Sequence, residues 1–428
     1  MIAVLFISFL VLLILGVPIA FCTAISSLLS LLVGMPNAII TIPAKMFGGL
    51  DSFSLMAIPL FILSGNLMEV GGVSRRLVNF AQLLVGWIKG GLGMVAVVAS
   101  MIFASISGSA AATTSAIGAM MVPSMVDAGY QKEWSACCVA AGGVVGPIIP
   151  PSVLVILYCA ATGLSVGAMF IAGAIPGILM GLFMMVICYR YGAKHPETGQ
   201  YAREAITTKY VINTIVGAIP AMVMPLIIIG GILSGAFTPT EAAAVACVYS
   251  VLVGLFLYRG MNLQQLWDIL ANSAFTSAKL MFIVSSANLF GWIMSKEQFP
   301  QTVANTLTSM TDSNTVIMIL IILVLMFVGC FMETTAALVI LTPVLYPIGQ
   351  QFGFDPIHFG IVIIVMLVIG AITPPVGVLV YIGASIAKTS FTKCIPYLFP
   401  FFAALMLAGL LTAFWPPLTT WLPAAMGF

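Results

Sequence analysis

The sequence predicts an all-α polytopic membrane protein, built as an inverted repeat with two re-entrant hairpins and two broken helices. Three observations predict it. Of 428 residues, 62% are hydrophobic and only 6% charged, with a mean hydropathy of +1.21, against roughly 25% charged residues in a soluble domain. Apolar runs long enough to span the hydrocarbon layer recur along the whole chain. Lastly, Gly146-Pro147-Ile148-Ile149-Pro150-Pro151-Ser152 finds a match in Gly370-Ala371-Ile372-Thr373-Pro374-Pro375-Val376, each following a polar-interrupted apolar stretch.

Candidate spans run near Met1–Val33, Phe53–Val70, Trp134–Ala161, Met169–Tyr189, Val211–Leu233, Glu241–Tyr258, Ala271–Met294, Ile357–Ala387 and Tyr397–Phe414. The first lacks the basic start of a cleaved signal peptide and reads as a retained helix. Two more apolar stretches, Leu92–Val122 and Thr315–Tyr346, are interrupted midway by Ser105-Ile106-Ser107-Gly108-Ser109 and by Gly329-Cys330-Phe331-Met332-Glu333-Thr334-Thr335. These read as re-entrant hairpins. Thr114 through Pro123 aligns with Thr334 through Pro343, so each half runs hairpin, helix broken at Pro-Pro, closing helix. Arg190–Lys209, the one clearly aqueous stretch, separates the halves. Val73–Gly90 and Asn262–Ala271 mix charge with apolar positions and a tryptophan, and each reads as an amphipathic helix at the interface.

Charge orients the chain. With Met1 inside and both hairpins re-entrant, Arg75, Arg76, Lys89, Lys132, Arg190, Lys194, Arg203, Lys209, Arg259, Lys388 and Lys393 fall on the cytoplasmic side, 11 of the 14 Lys and Arg. Lys45 and Lys296 fall outside and Lys279 sits within a span. The first hairpin then enters from the cytoplasm and the second from the opposite face, which makes the halves inverted. A formal net charge of +2, with cations confined between spans, gives no sign of a nucleic-acid partner.

Inside lipid, a backbone that leaves the helix must be buried in protein or line a cavity. Pro150 and Pro151 lack N–H groups, so the carbonyls of Gly146 and Pro147 lose their helical partners, and Pro374 and Pro375 do the same to Gly370 and Ala371. The hairpin tips supply hydroxyls from Ser105, Ser107, Ser109, Thr334 and Thr335, with Glu333 as the sole tip carboxylate. Oxygen-only sets suit a hard cation such as Na⁺ better than a transition metal. Half-helices starting at Ala110 and near Thr334 would point their positive ends at an anionic solute. Close helix packing by small residues is the competing explanation of the serines and glycines. Glu333 would either neutralise a cation or cap its half-helix. Glu241 belongs to a capping box, Thr238-Pro239-Thr240-Glu241. The eight cysteines form no C-x-x-C pair and read as small buried residues, and two histidines give little material for zinc. No phosphate loop, H-E-x-x-H or G-x-S-x-G is present, so neither an ATPase nor a common hydrolase is supported.

Five stretches resemble one family: SGSAAATTSAIGAMMVP at 107–123, GPIIPPS at 146–152, AFTPTEAAAVA at 236–246, METTAALVILTPVLYP at 332–347 and GAITPPVG at 370–377. They look like the large membrane subunit, of the DctM or SiaM type, of tripartite ATP-independent periplasmic (TRAP) transporters. The resemblance implies an elevator-type transporter in the bacterial inner membrane. Residues 1–91 would be the first half's scaffold and arm helix and 92–189 its transport domain. Residues 190–210 would be a cytoplasmic linker, 211–299 the second scaffold and arm, and 300–428 the second transport domain. It implies Na⁺ coupling without an organic cofactor, a small four-helix membrane subunit, and a periplasmic substrate-binding protein delivering an organic acid anion, of sialic-acid or C4-dicarboxylate type.

Carried onto this chain, the candidate Na⁺ ligands are Ser105, Ser107, Ser109, Gly146, Ile149, Gly329, Glu333, Thr334, Gly370, Thr373 and Val376. The candidate solute contacts are Ser107, Thr113, Pro150, Ser152, Thr335 and Pro374. A stand-alone cation-coupled carboxylate symporter or a cation/proton antiporter could share the repeat logic. An intramembrane enzyme would need a catalytic dyad, and Glu69, Glu241, Asp268 and Glu333 are too scattered to make one.

Overall fold

In lipid every backbone amide and carbonyl needs a partner within the protein, and helices supply it locally. The computed structural model describes residues 1–196, 198, 207–311 and 313–428, and every regular element among them is a helix. Part of the linker and Arg203 of the charge count lie outside the described residues. The first half contains α1 (Ile2–Ile14), α2 (Ile19–Gly34), α3 (Ile42–Gly48), α4 (Ala57–Val70), α5 (Val73–Val85), α6 (Gly91–Ser107), α7 (Ala110–Asp127), α8 (Lys132–Val144), α9 (Val153–Thr162) and α10 (Val166–Lys194). The second contains α11 (Thr208–Leu233), α12 (Pro239–Leu252), α13 (Leu263–Lys296), α14 (Phe299–Met310), α15 (Asn314–Phe331), α16 (Thr334–Gln351), α17 (Pro356–Gly370), α18 (Val378–Ile386), α19 (Phe391–Phe414) and α20 (Pro417–Ala425). Among the described residues, seven helices are long and apolar enough to cross a membrane.

The halves repeat in the order anticipated, and the structure sharpens their register. Ala110 and Thr334 open α7 and α16, while Lys132 and Pro356 open α8 and α17. Both pairs are 224 residues apart (334 − 110 and 356 − 132), as are Gly146 and Gly370. The pairing of Thr114 with Thr334 is therefore one helical turn off; Ser109 and Glu333 are the true equivalents. Sequence likeness misled because both helices open with small and hydroxyl residues. Contacts between halves are reciprocal, α7 packing on α18 as α16 packs on α9, and α2 on α13 as α12 packs on α4.

Three readings are corrected. Met1–Val33 is two helices, broken where Gly16 adopts φ +79° ahead of Pro18. The Ser30 hydroxyl donates to the Met1 carbonyl at 3.1 Å, so Met1 lies at the far end of α2, on the face of Lys45. Met1 is thus placed outside, and the other charges keep their sides because only the first crossing changes. Asn262–Ala271 is not a separate interfacial helix. Asn262 accepts from the Gln265 amide at 2.8 Å and caps the 34-residue α13, which at about 1.5 Å per residue far exceeds a hydrocarbon layer of about 30 Å. The counterpart of α5 is instead α14, whose polar residues are uncharged and left no charge signal. Finally, the polar stretch from Arg190 begins inside α10, which continues to Lys194.

Hydrogen bonds tie α2, α4, α12 and α13 into one group. Thr23 meets Ser286 at 2.8 Å, the Asn66 amide donates to Ser273 at 2.8 Å, and the Cys247 thiol donates to the Leu60 carbonyl at 3.0 Å. At the turn into α5, Gly72 takes φ +85°. Its carbonyl accepts from Arg76, whose guanidinium lies 3.6 Å from the centre of the Tyr258 ring. Elsewhere, α8 is buried from Trp134 to Val144 and α17 from His358 to Gly370. Every cysteine is buried, and the Thr238–Glu241 capping box is present, with the Thr238 amide donating to Glu241 at 2.8 Å.

Equivalent positions should report opposite faces. Asp127 and Gln351 are the exposed last residues of α7 and α16. Because the native thiols are buried, the parent is its own blank for an impermeant thiol reagent. Asp127→Cys should be labelled only from the cytoplasm and Gln351→Cys only from the periplasm; labelling of both from one side would refute the inversion.

Candidate functional site

Each broken helix is closed from within, by a side chain in the first half and by backbone amides in the second. In the first half α8 ends at Val144 and α9 begins at Val153. Ser152 caps α9 by accepting from the Val155 amide at 3.3 Å, and its hydroxyl donates to the Pro147 carbonyl. In the second half the Thr373 amide donates to the Gly370 carbonyl at 2.8 Å and the Leu379 amide to that of Ala371 at 3.3 Å. The expectation of proline-freed carbonyls therefore needs correction. Those of Pro147, Gly370 and Ala371 have found local partners, leaving only their second lone pairs for an ion.

Glycine at both breaks allows close approach of the adjacent hairpin. A Cβ on Gly146 would come 3.1 Å from the Ser109 carbonyl oxygen and 3.1 Å from Thr113 Oγ1. One on Gly370 would come 2.8 Å from the Gly329 Cα. Thus Ser107, Ser109, Thr113 and Gly146 form one cluster, and Gly329, Gly370 and Thr373 another. Ser107 Oγ lies 3.0 Å from Thr113 Oγ1. In the second cluster the Cys330 thiol donates to the Thr373 carbonyl at 3.2 Å. Ser105 and Thr373 turn their hydroxyls back on their own helices, donating to the carbonyls of Ile102 at 2.7 Å and Ile369 at 3.0 Å.

At the tips, Gly108 turns the chain with φ +59°, and Ser109 caps α7 by accepting from Ala112 N at 3.4 Å. Its equivalent Glu333 caps α16. One carboxylate oxygen accepts from the Ala336 amide at 2.9 Å and the other from the Thr335 hydroxyl at 2.7 Å. Of the two roles considered for Glu333, the cap is the one its bonds display.

Between the tips lies a cavity of about 270 Å³. Its walls include Ser107, Ser109, Glu333, Thr334 and Thr335, with Pro147 and Ala371 from the breaks. The opposite wall comes from α4 and α13 through Gly65, Asn66, Thr276 and Leu280. These four were missed, although Asn66, an amide inside an apolar span, carried the signal. Ser105, Thr113, Gly146, Ile149, Pro150, Ser152, Gly329, Gly370, Thr373, Val376 and Pro374 are not among the walls. Nor are the breaks alike, for Pro150 and Pro151 are buried whereas Pro374 and Pro375 are exposed. The first-turn amides of α7 and α16, which have no partner within their helices, border this cavity.

Helical repeats of opposite orientation, meeting at closed breaks around a small cavity with a few polar groups set in apolar walls, are the plan of a membrane transporter. The profile of the tripartite ATP-independent periplasmic transporter DctM component matches residues 6–418, and the chain belongs to that family of transporters, which are not enzymes. It is a multi-pass protein of the bacterial inner membrane and one component of a three-part system. It is 39% identical to the C4-dicarboxylate TRAP transporter large permease DctM of Pseudomonas aeruginosa, over 94% of each chain. Against the sialic acid TRAP transporter large permease SiaM of Vibrio cholerae it is 36% identical over 95% of each. Against the 2,3-diketo-L-gulonate large permease YiaN of Escherichia coli it is 40% identical over 86% of this chain and 85% of that one. The crystal structure of the Alcanivorax borkumensis YdaH transporter shares the fold, with a TM-score of 0.63 at 14% identity, covering 91% of this chain and 90% of that one.

The Gly329–Gly370 contact predicts a stability effect. Gly329→Ala places a methyl group 2.6 Å from the Leu367 carbonyl oxygen, and backbone cannot rotate away as a side chain can. A loss of about 1–3 kcal/mol is expected, read as a fall of several degrees in the detergent melting temperature. An unchanged melting temperature would contradict the close approach.

Proposed function

We propose that the protein imports a small organic acid anion coupled to Na⁺, the solute arriving on a periplasmic binding protein and a small four-helix membrane subunit completing the assembly. The observation that carries this reading is the cavity bordered by two helix N-termini and one carboxylate. The first-turn amides of α7 and α16 favour negative charge. Glu333 opposes it. An anion about 6 Å away in a medium of effective dielectric about 20 is repelled by about 3 kcal/mol. Among the described residues the cavity walls include no lysine or arginine to offset that, so a co-bound cation removes the penalty and couples the two solutes. Oxygen atoms from Ser107, Thr113, the Ser109 carbonyl and Gly146 in one cluster, and from Thr373, Gly329 and Gly370 in the other, suit Na⁺.

The solutes printed for the relatives, C4-dicarboxylate, sialic acid and 2,3-diketo-L-gulonate, are organic acids, as is the sulfonate isethionate, named for the DctMQ permease of Oleidesulfovibrio alaskensis. This supports the solute class. Identity to the sialic acid relative does not exceed that to the others, so the class is the level at which the reading stands.

Reconstituted with its partners, the chain should accumulate such an anion under an imposed Na⁺ gradient alone. Equal uptake with Na⁺ absent would overturn the coupling. Thr113→Val and Thr373→Val keep shape while removing one oxygen. Each should raise the Na⁺ concentration for half-maximal uptake several-fold, the equivalent of about 1 kcal/mol, without loss of assembled protein. Poor assembly with normal Na⁺ dependence would favour a packing role instead.

A further inference from the structure

In the charge-based orientation two of the 14 Lys and Arg fall on the external face, Lys45 and Lys296. They are distant in sequence, yet both meet the same ring. Each Nζ lies 5.3 Å from the centroid of Trp292. Lys45 is held there because the Ser285 hydroxyl of α13 donates to the Met46 carbonyl at 3.0 Å and because Gly49 seats directly against Asn288. The two ammonium groups are thus confined to a separation comparable with the Debye length, roughly 10 Å at 0.1 M salt, so each adds to the positive potential beside the other, offset in part by the exposed carboxylates of Glu297, next to Lys296, and Asp51, two residues beyond Gly49.

Trp292 lines a second cavity, of about 340 Å³, between α13, the outer end of α9 and the middle of α16. Its polar side chains are Asn288 and Ser295, both exposed. Thr276 and Leu280 of the first cavity continue along the same α13 face into Val284, Asn288, Gly291 and Ser295 of the second. Steps of three or four residues keep one face of a helix in line. The two cavities are therefore stacked on one ridge, the second nearer the outer membrane face.

We propose that this outer cavity is a separate binding station for a small organic carboxylate or sulfonate, drawn in by Lys45 and Lys296 and held by the Asn288 amide and the Ser295 hydroxyl before it reaches the hairpin tips. Neither lysine is itself a wall of the cavity; both meet Trp292, which is, so their field reaches the cavity across that ring and steers an anion toward it. The proposal takes its solute class from the functional reading above, but its electrostatic core can be tested without knowing the solute.

The test uses charged thiol reagents on Asn288→Cys, with Ser295→Cys as a second reporter should the first assemble poorly. In right-side-out vesicles of the full complex, a sulfonate-bearing methanethiosulfonate should react faster than its trimethylammonium analogue by roughly tenfold relative to free thiol. Lys45→Gln with Lys296→Gln should bring that ratio to within about twofold, and Lys45→Arg with Lys296→Arg should restore it. The glutamine pair should also raise the solute concentration for half-maximal uptake several-fold at unchanged Na⁺ half-saturation, with succinate, N-acetylneuraminate and isethionate as probes. A reagent ratio indifferent to the lysines, or labelling only from the cytoplasmic side, overturns the proposal. Absence of Na⁺-driven uptake of every probe by the parent, with the reagent ratio behaving as stated, would instead count against the functional reading and leave the anion-attracting cavity standing.

Discussion

The structure depends on one constraint, that no peptide group can stay unpaired in hydrocarbon. A helix satisfies it automatically; a break does not, and an unpartnered buried group costs on the order of several kcal/mol. Here four interruptions meet in the middle of the molecule. Ser109 and Glu333 cap the hairpin limbs α7 and α16, and Ser152 caps α9. The remaining half-helix, α18, starts from Gly377 at φ +58°, with the Thr373 and Leu379 amides closing the carbonyls behind it. Every local partner used in this way is also a polar atom placed where lipid would otherwise be. The candidate site and the repair of the helices overlap at Ser109 and Glu333, each of which both caps a half-helix and lines the cavity.

Repair needs close approach, and glycine provides it. Gly329 against Gly370, and Gly146 beneath Ser109 and Thr113, bring hairpin and break together with no side chain between them. Inversion does not make the halves chemically equal, however. Equivalent caps are a neutral serine and a charged glutamate, and equivalent Pro-Pro breaks are buried in one half and exposed in the other. An inverted repeat fixes backbone geometry twice over while leaving each half free to bind differently.

Much of this was legible in the sequence. The recurrence of Gly-x-x-x-Pro-Pro behind a hydroxyl-rich interruption located both hairpins and both breaks, because proline and glycine act through the backbone and leave their mark in one dimension. The wall that α4 and α13 contribute to the cavity was not legible. Asn66 and Thr276 come from α4 and α13, which meet only through folding, and a single polar residue in an apolar span does not say which neighbour it faces. The break at Gly16 was marked by Gly16 and Pro18 but passed over, since the hydropathy of Met1–Val33 does not distinguish one long helix from two short ones. Repeat register slipped by a turn for a related reason: threonine-rich helix starts look alike at one turn's displacement, whereas the caps that fix the register, Ser109 and Glu333, differ in type.

Along α13, polar and apolar contacts are divided by face. Its side-chain hydrogen bonds to other parts of the chain run to Thr23 of α2, Met46 of α3 and Asn66 of α4, which binds these helices to one another. Toward the hairpins it presents the row that lines both cavities, with Leu280, Val284 and Gly291 between the polar residues Thr276, Asn288 and Ser295. Shifting a group of helices against hydrogen-bonded neighbours would break bonds worth about 1 kcal/mol each. Apolar contact and small residues can re-form at a new register at little cost, because dispersion and burial are not directional. The ridge is thus bonded on one side and smooth on the other, and it is on that smooth side that both cavities open.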